Sequence, residues 1–170
     1  MAEKILFQTK LTDLSATDKE GVGVIRRTED GNAYRWVKNT ATTALTAKQP
    51  VCYEVALAGS VAMFQSVLTP ATADLMMAAG MAVTAIGASG GDMYGWIMVQ
   101  GRFANSRTLA VSGTAGAVGE EYIGANGTTT LARATAAGTA PKYQKNYTLL
   151  EVVSASTGAV VAVDVYVNCL

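Results

Sequence analysis

The sequence predicts an all-β protein, a compact barrel or sandwich with one short α-helix near residues 70–80. Short runs of β-branched and aromatic residues recur along the chain, and turns rich in glycine separate them, which is typical of this class. One stretch carries both the start and the stop signals of a helix. The 170 residues suffice to bury one core. We expect an N-terminal arm at residues 1–19 and a single β domain at residues 20–170.

The predicted arm contains an apolar cluster, a weakly alternating stretch and then a polar link. Two interpretations are open. The segment is the first strand of the domain, or it is an extended arm that adds a strand to a neighbour's sheet. In an assembling protein its apolar side chains are candidate contacts with neighbouring subunits. These residues are Ile5, Leu6, Phe7 and Leu11.

A β-hairpin is the clearest local prediction. Residues 22–27 and 33–38 flank Asp30-Gly31, which supplies the positive φ that a tight hairpin turn requires. Trp36 lies in the second strand and has two interpretations. It is either a core residue or a contact anchor for a partner, because tryptophan is enriched at interface hot spots.

The single predicted helix begins at Thr69 and Pro70, because threonine caps helices and proline is tolerated at the first helical position. It ends at Gly80, since glycine suits a left-handed C-terminal cap. We expect strands on both sides of this helix. They cover residues 51–57, 61–68 and 81–86.

Residues 94–103 form the longest compact run of large apolar side chains and predict a central strand. Gly95 and Gly101 interrupt this strand. Glycine inside a strand marks a bend, a bulge or a close backbone approach. We interpret both glycines as bends that close a barrel, with residues 96–99 in the core or in a subunit contact. The alternative is a ligand that passes over one of the glycines.

A second hairpin is predicted at the C-terminus. Its strands are residues 147–153 and 159–167, and between them lies a short turn segment. The last strand is apolar on both faces. We therefore expect it at the centre of a sheet or covered by another subunit.

The charge of the chain is low and balanced. Basic and acidic residues number 13 each, and charged residues make up 15% of the chain, against about a quarter in ordinary soluble domains. Nucleic-acid binding needs a clustered excess of basic residues, so we expect no nucleic-acid partner. No apolar run is long enough for a membrane span, so we expect no membrane partner. This composition favours a subunit that packs against neighbours.

The residues that catalytic and metal sites need are scarce. There is no histidine, which is the commonest general base and metal ligand. Glu120 and Glu121 are adjacent and would face opposite sides of a strand. Asp92, beside a glycine-rich loop, lacks the spacing of a calcium loop. We expect no enzyme, no cofactor and no metal. Cys52 and Cys169 are either a disulfide or two buried thiols, and the lack of a signal-peptide core favours thiols.

Three segments carry a resemblance to a known family. They are Tyr-Gly-Trp-Ile-Met-Val-Gln-Gly at 94–101, Ala-Gly-Ala-Val-Gly-Glu at 115–120 and Leu-Ala-Arg-Ala at 131–134. Residues 81–137 thereby resemble the capsid decoration, or cement, proteins of tailed phages, in their glycine, alanine and turn spacing. The resemblance implies a β-tulip-like barrel on the outer surface of the virion capsid, made in the host cytoplasm.

The resemblance also implies a function. The protein would stabilise a phage capsid by bridging neighbouring major capsid protein subunits, as a homotrimer or a dimer, and the arm at residues 1–19 would contact the capsid. The alternative is a carbohydrate- or receptor-binding module of a phage head fibre or tail, which would use exposed aromatic side chains. These are Tyr34, Tyr143 and Tyr147.

Overall fold

A computed structural model describes residues 7–53, 66–68, 77–109, 121–124, 131–133, 147–150 and 160–169. Within these ranges the chain forms ten β-strands and no helix. The strands are β1 (Ile25–Arg27), β2 (Ala33–Asn39), β3 (Pro50–Tyr53), β4 (Ser66–Leu68), β5 (Met77–Ala82), β6 (Tyr94–Leu109), β7 (Glu121–Gly124), β8 (Leu131–Arg133), β9 (Tyr147–Leu149) and β10 (Val160–Asn168).

The strands of the described part join one sheet in the order β1-β2-β4-β3-β5-β6-β10-β9-β7-β8. β2 also pairs with β6, and β6 with β8. The β2–β4 and β6–β8 pairings are parallel, and the other pairings are antiparallel. This arrangement confirms the all-β class. The antiparallel sheet is not closed, so the barrel or sandwich stays a prediction.

β6 is the central strand, as its apolar run predicts. β2 pairs along one edge of its first half, with Trp36 opposite Trp96. β5 pairs with the same half through Met81 and Met98, and β10 pairs with the second half. Trp96 and Met98 belong to one buried cluster, whereas the alternating residues Ile97 and Val99 belong to another. Both faces of β6 are therefore covered, which explains why this run is apolar without alternation.

The two glycines of β6 have different roles. Gly101 has a φ of 121°, and the side chain of Asn32 lies where a Cβ would be. Gly101 therefore adopts a backbone conformation that favours glycine and allows the close approach of Asn32. Gly95 lacks a positive φ, but a Cβ there would lie 2.9 Å from Ile86 Cγ1 and 3.1 Å from Leu14 Cδ2. Gly95 makes room for the packing of Ile86 and Leu14.

Both predicted hairpins have paired strands. β1 and β2 are antiparallel, with Arg27 opposite Ala33, and Gly31 in the turn has a φ of 83°. β9 and β10 pair through Val165 and Leu149; residues 151–159 lie outside the described residues. β10 has β6 on its other side, so the expectation of a central position is confirmed.

The predicted helix near residues 70–80 is wrong at its C-terminal end. Met77–Ala82 form strand β5, antiparallel to β3 and β6; residues 69–76 lie outside the described residues. Gly80 has a φ of 144°, and a side chain there would overlap the Met98 carbonyl group. Gly80 thus permits a close strand approach instead of capping a helix. Helix signals are local, and pairing with two neighbouring strands overrides them.

Candidate functional site

The candidate contact residues fall into three groups: two are half-buried, one is fully buried and two lie outside the described residues. Phe7 and Leu11 are half-buried and pack against the cluster that contains both tryptophans. Trp36 is 0% exposed, so its core interpretation holds. Ile5 and Leu6 lie outside the described residues. The boundary between arm and domain at residue 19 stays a prediction. Phe7, Thr9 and Ser15 of the predicted arm all contact β6 of the domain.

Residues 7–20, which we call the clasp, lie against an aromatic surface of the sheet. This tryptophan face consists of Trp36, Tyr94 and Trp96. Trp36 stacks on Tyr94 with ring centroids 6.4 Å apart and meets Trp96 edge to face at 5.3 Å. The Phe7 ring meets Trp96 edge to face at 5.7 Å. The clasp therefore begins with an aromatic contact, worth about 1 kcal/mol beyond area burial.

Hydrogen bonds connect the clasp to Trp96. The Trp96 indole Nε1–H donates to Thr9 Oγ1 at 2.9 Å, in a buried position. Thr9 in turn donates from both its backbone N–H and its hydroxyl to Glu20 Oε1, each at 2.6 Å. A buried indole N–H needs an acceptor, and a carboxylate acceptor strengthens the hydrogen bonds that it accepts.

Asp18 connects the clasp to Trp36 and to the following turn. Its Oδ1 accepts hydrogen bonds from Trp36 Nε1 and from the Gly21 N–H, each at 2.9 Å. Its Oδ2 accepts the Val22 N–H at 2.9 Å. One carboxylate thus satisfies an indole and two backbone donors. Backbone pairing of Ser15 with Tyr94 adds two further hydrogen bonds, of 3.1 and 3.0 Å.

The link between clasp and sheet is a glycine turn. Gly21 and Gly23 have φ values of 87° and 94°, a region that favours glycine. The Val24 N–H closes the turn by donating to the Gly21 carbonyl at 3.0 Å, and the Gly23 N–H donates to the Trp36 carbonyl at 2.8 Å. β1 starts at the next residue, Ile25. The sequence did not predict the hydrogen-bonding roles of Thr9, Asp18 and Glu20. The available signal was that two buried tryptophans need two acceptors for their indole N–H groups.

A second polar cluster surrounds the two cysteines, which remain thiols. Burial, together with the nearby Cys169, raises the pKa of the Cys52 thiol to about 12. Burial raises the pKa of Tyr53 to about 12 as well. The buried Tyr147 hydroxyl donates to the Gly80 carbonyl at 3.0 Å. Because the thiolate is the reactive species, Cys52 is a poor nucleophile at neutral pH.

An ion pair lies on the C-terminal half of the sheet. Arg102 Nε donates to Asp164 Oδ2 at 2.8 Å, and the Asn105 N–H donates to Asp164 Oδ1 at 3.0 Å. These hydrogen bonds, that of Arg102 first, lower the pKa of Asp164. Asp164 sits where the β6–β10 register shifts. The pair therefore lies at an irregular point of the strand pairing.

The described residues contain no group of three metal-ligating side chains. Asp92, the weak calcium candidate, is exposed in its loop. Two of the aromatic residues assigned to a carbohydrate-binding module are buried, which contradicts their expected exposure: Tyr34 is 9% exposed and Tyr147 is 1% exposed. Tyr143 lies outside the described residues, whereas Tyr166 is 40% exposed.

Comparison with known proteins gave no match to a protein-family model, to a curated protein or to a solved structure. In the part of the chain that the structure describes, no helix is long and apolar enough to cross a membrane. The candidate site is therefore defined by its own geometry: a clasp, a tryptophan face and a glycine turn between them.

Proposed function

We propose that this protein is a virion structural subunit that decorates and stabilises a phage capsid. It would bridge neighbouring major capsid protein subunits on the outer surface, as a homotrimer or a dimer, after synthesis in the host cytoplasm. The observation that carries the proposal is the low, balanced charge: 13 basic and 13 acidic residues in 170. Such a surface suits permanent contact with neighbours better than dispersion in solution.

The end of the sheet supports the proposal. Within the described residues β1 pairs with β2 alone, and its Ile25 side chain is 37% exposed. An unpaired strand edge with an exposed apolar residue is a template for pairing with another chain. A stable contact needs about 800 Å² from each partner, so β1 supplies only part of the interface.

We also propose the finer fold, a compact β-tulip-like barrel or sandwich. The support is the set of pairings that runs from β2 through β4, β3 and β5 to β6 and returns from β6 to β2. The positive φ of Gly101, 121°, suits a strand that curves between neighbours.

The experiment is binding to capsids. Purified protein is mixed with undecorated capsids of the phage that encodes it, and the mixture is sedimented and heated. We expect cosedimentation at a fixed ratio to the major capsid protein and a higher temperature of capsid disruption. Absence of both effects contradicts the proposal. A matched pair of variants locates the contact: Ile25→Lys should weaken binding more than Leu150→Lys, since both side chains are 37% exposed but only Ile25 lies on β1.

The carbohydrate- or receptor-binding alternative has weaker support. It depended on exposed aromatic residues, and Tyr34 and Tyr147 are buried. Among the described residues, Tyr166 is 40% exposed, is paired opposite Arg102 in the sheet and could take such a role, while Tyr143 lies outside the described residues. A glycan array that gives a signal lost in Tyr166→Ala would favour the alternative over capsid decoration.

A further inference from the structure

We infer that, in the assembled protein, the clasp of one copy docks on the tryptophan face of a second copy. On the partner's tryptophan face, this clasp would make the contacts that the partner's own clasp makes in the single chain. The partner is therefore another copy of this chain, and the docking site is incomplete without the partner's residues 7–20. This inference rests on the proposed function, in which copies of the chain are held side by side.

The tryptophan face is already a built binding site for this segment. The Phe7 ring of the clasp packs against Trp96 of the face. The Trp96 indole N–H donates to Thr9 of the clasp, and the Trp36 indole N–H donates to Asp18 of the clasp. In the described part of the chain, the clasp meets the sheet through one backbone pairing, Ser15 with Tyr94. A second copy's clasp makes the same contacts, so exchange loses little contact energy.

The glycine turn supplies the hinge. Gly21 and Gly23 adopt positive φ here, and both accept an extended backbone equally well because they lack a Cβ. Opening the turn breaks the hydrogen bond from Val24 to Gly21 and the two that Asp18 accepts from the turn. The Gly23 N–H bond to the Trp36 carbonyl must also rearrange. Residues 22–24 would then continue the direction of β1 and carry the clasp away from its own face.

Concentration decides which face the clasp occupies. A short link gives the chain's own clasp an effective concentration of about 1 mM, so the single chain closes on itself in dilute solution. In an assembly that holds copies side by side, a neighbour's face would compete with the chain's own face for the clasp. The zero net charge of the chain places little repulsion between copies. Exchange should therefore appear in concentrated protein and in assembled shells.

The test uses a disulfide between the clasp and the face. Ser15 and Tyr94 exchange both backbone hydrogen bonds, a geometry in which Cα atoms lie about 5.5 Å apart and within disulfide reach. The double variant S15C/Y94C is made in a C52S/C169S background, concentrated, oxidised with diamide and examined on non-reducing gels. Diamide accepts the two electrons and two protons that the paired thiols lose. We expect covalent dimers or trimers, and intrachain-linked monomers at every concentration would overturn the inference.

Mixing two single variants removes the intrachain product altogether. S15C labelled with heavy nitrogen is mixed with unlabelled Y94C, in the same background, and the mixture is oxidised after concentration. We expect a mixed-mass dimer joined between positions 15 and 94. If S15C alone gives as much dimer as the mixture, or if the mixture gives none, the inference is wrong.

A capsid experiment separates this inference from the proposed function. The intrachain-linked monomer of S15C/Y94C is isolated from dilute oxidation and added to undecorated capsids, with the reduced protein as control. We expect the reduced protein to bind and the locked monomer to bind at least tenfold more weakly. Equal binding of both overturns clasp exchange and leaves the decoration proposal intact. Covalent dimers in solution without any capsid binding support exchange and contradict decoration.

Discussion

Replacing Thr9 by valine tests whether the clasp is part of the folded domain. Valine keeps the shape of threonine but removes the hydroxyl that accepts the Trp96 indole N–H and donates to Glu20. A buried donor left without a partner costs about 1–3 kcal/mol, and the lost bond to a carboxylate costs about 1.5 kcal/mol more. The Thr9 backbone bond to Glu20 remains. We expect a total destabilisation of about 3 kcal/mol.

Urea unfolding followed by tryptophan fluorescence measures this change. With a slope of about 2 kcal/mol/M, the midpoint should fall by about 1.5 M. The matched control is Trp96→Phe, alone and combined with Thr9→Val, because phenylalanine removes the donor that the valine variant leaves unsatisfied. The double variant should lose less than the sum of the single losses. A loss under about 0.5 kcal/mol for Thr9→Val, or strict additivity, would refute the role of this hydrogen bond.

Three further predictions concern β5, the ion pair and the cysteines. Gly80→Ala should destabilise the protein by more than about 2 kcal/mol in urea unfolding, because a Cβ overlaps the Met98 carbonyl, whereas Gly90→Ala, also at positive φ but with open space around it, should cost about 1 kcal/mol. Asp164→Asn should weaken the loss of stability that the protein shows on acidification. The folded pKa of Asp164 lies below its ordinary value of 3.8, so its contribution to stability is full above that value and is lost as pH falls through the lower folded pKa. An unchanged fall of melting temperature with acid would contradict this. In iodoacetamide labelling at neutral pH, read by peptide mass spectrometry, the half-buried Cys169 should react faster than buried Cys52, and equal rates would show that the native cluster is open.

The sequence predicted the parts of the fold that depend on local pattern. Asp30-Gly31 predicted the first hairpin, and the apolar run from Trp96 to Val99 predicted a central strand, which the structure covers with one cluster on each face. Both signals act within a few residues, and neither depends on distant partners. The same local reasoning failed at Gly80, whose role is set by the Met98 carbonyl on another strand.

The clasp shows a different limit of sequence reasoning. Phe7 and Leu11 are recognisable as an apolar cluster, but their contact with the tryptophans depends on tertiary structure. Asp18 and Glu20 belong to a segment that reads as a polar link, although their carboxylates accept hydrogen bonds from Trp36 and from Thr9. Each carboxylate accepts a hydrogen bond from a residue distant in sequence, so the composition of the segment could not predict this pairing.

The two tryptophans place a physical constraint on how this protein assembles. Each indole N–H is satisfied by the clasp, through Thr9 for Trp96 and through Asp18 for Trp36. A sheet without any clasp would expose the aromatic face to water, which costs roughly 25 cal/mol for each Å² of apolar surface. Every stable copy must therefore hold a clasp, either its own or one from a neighbour. An assembly built by exchange must then be closed, because an open chain of copies would leave one tryptophan face empty at its end.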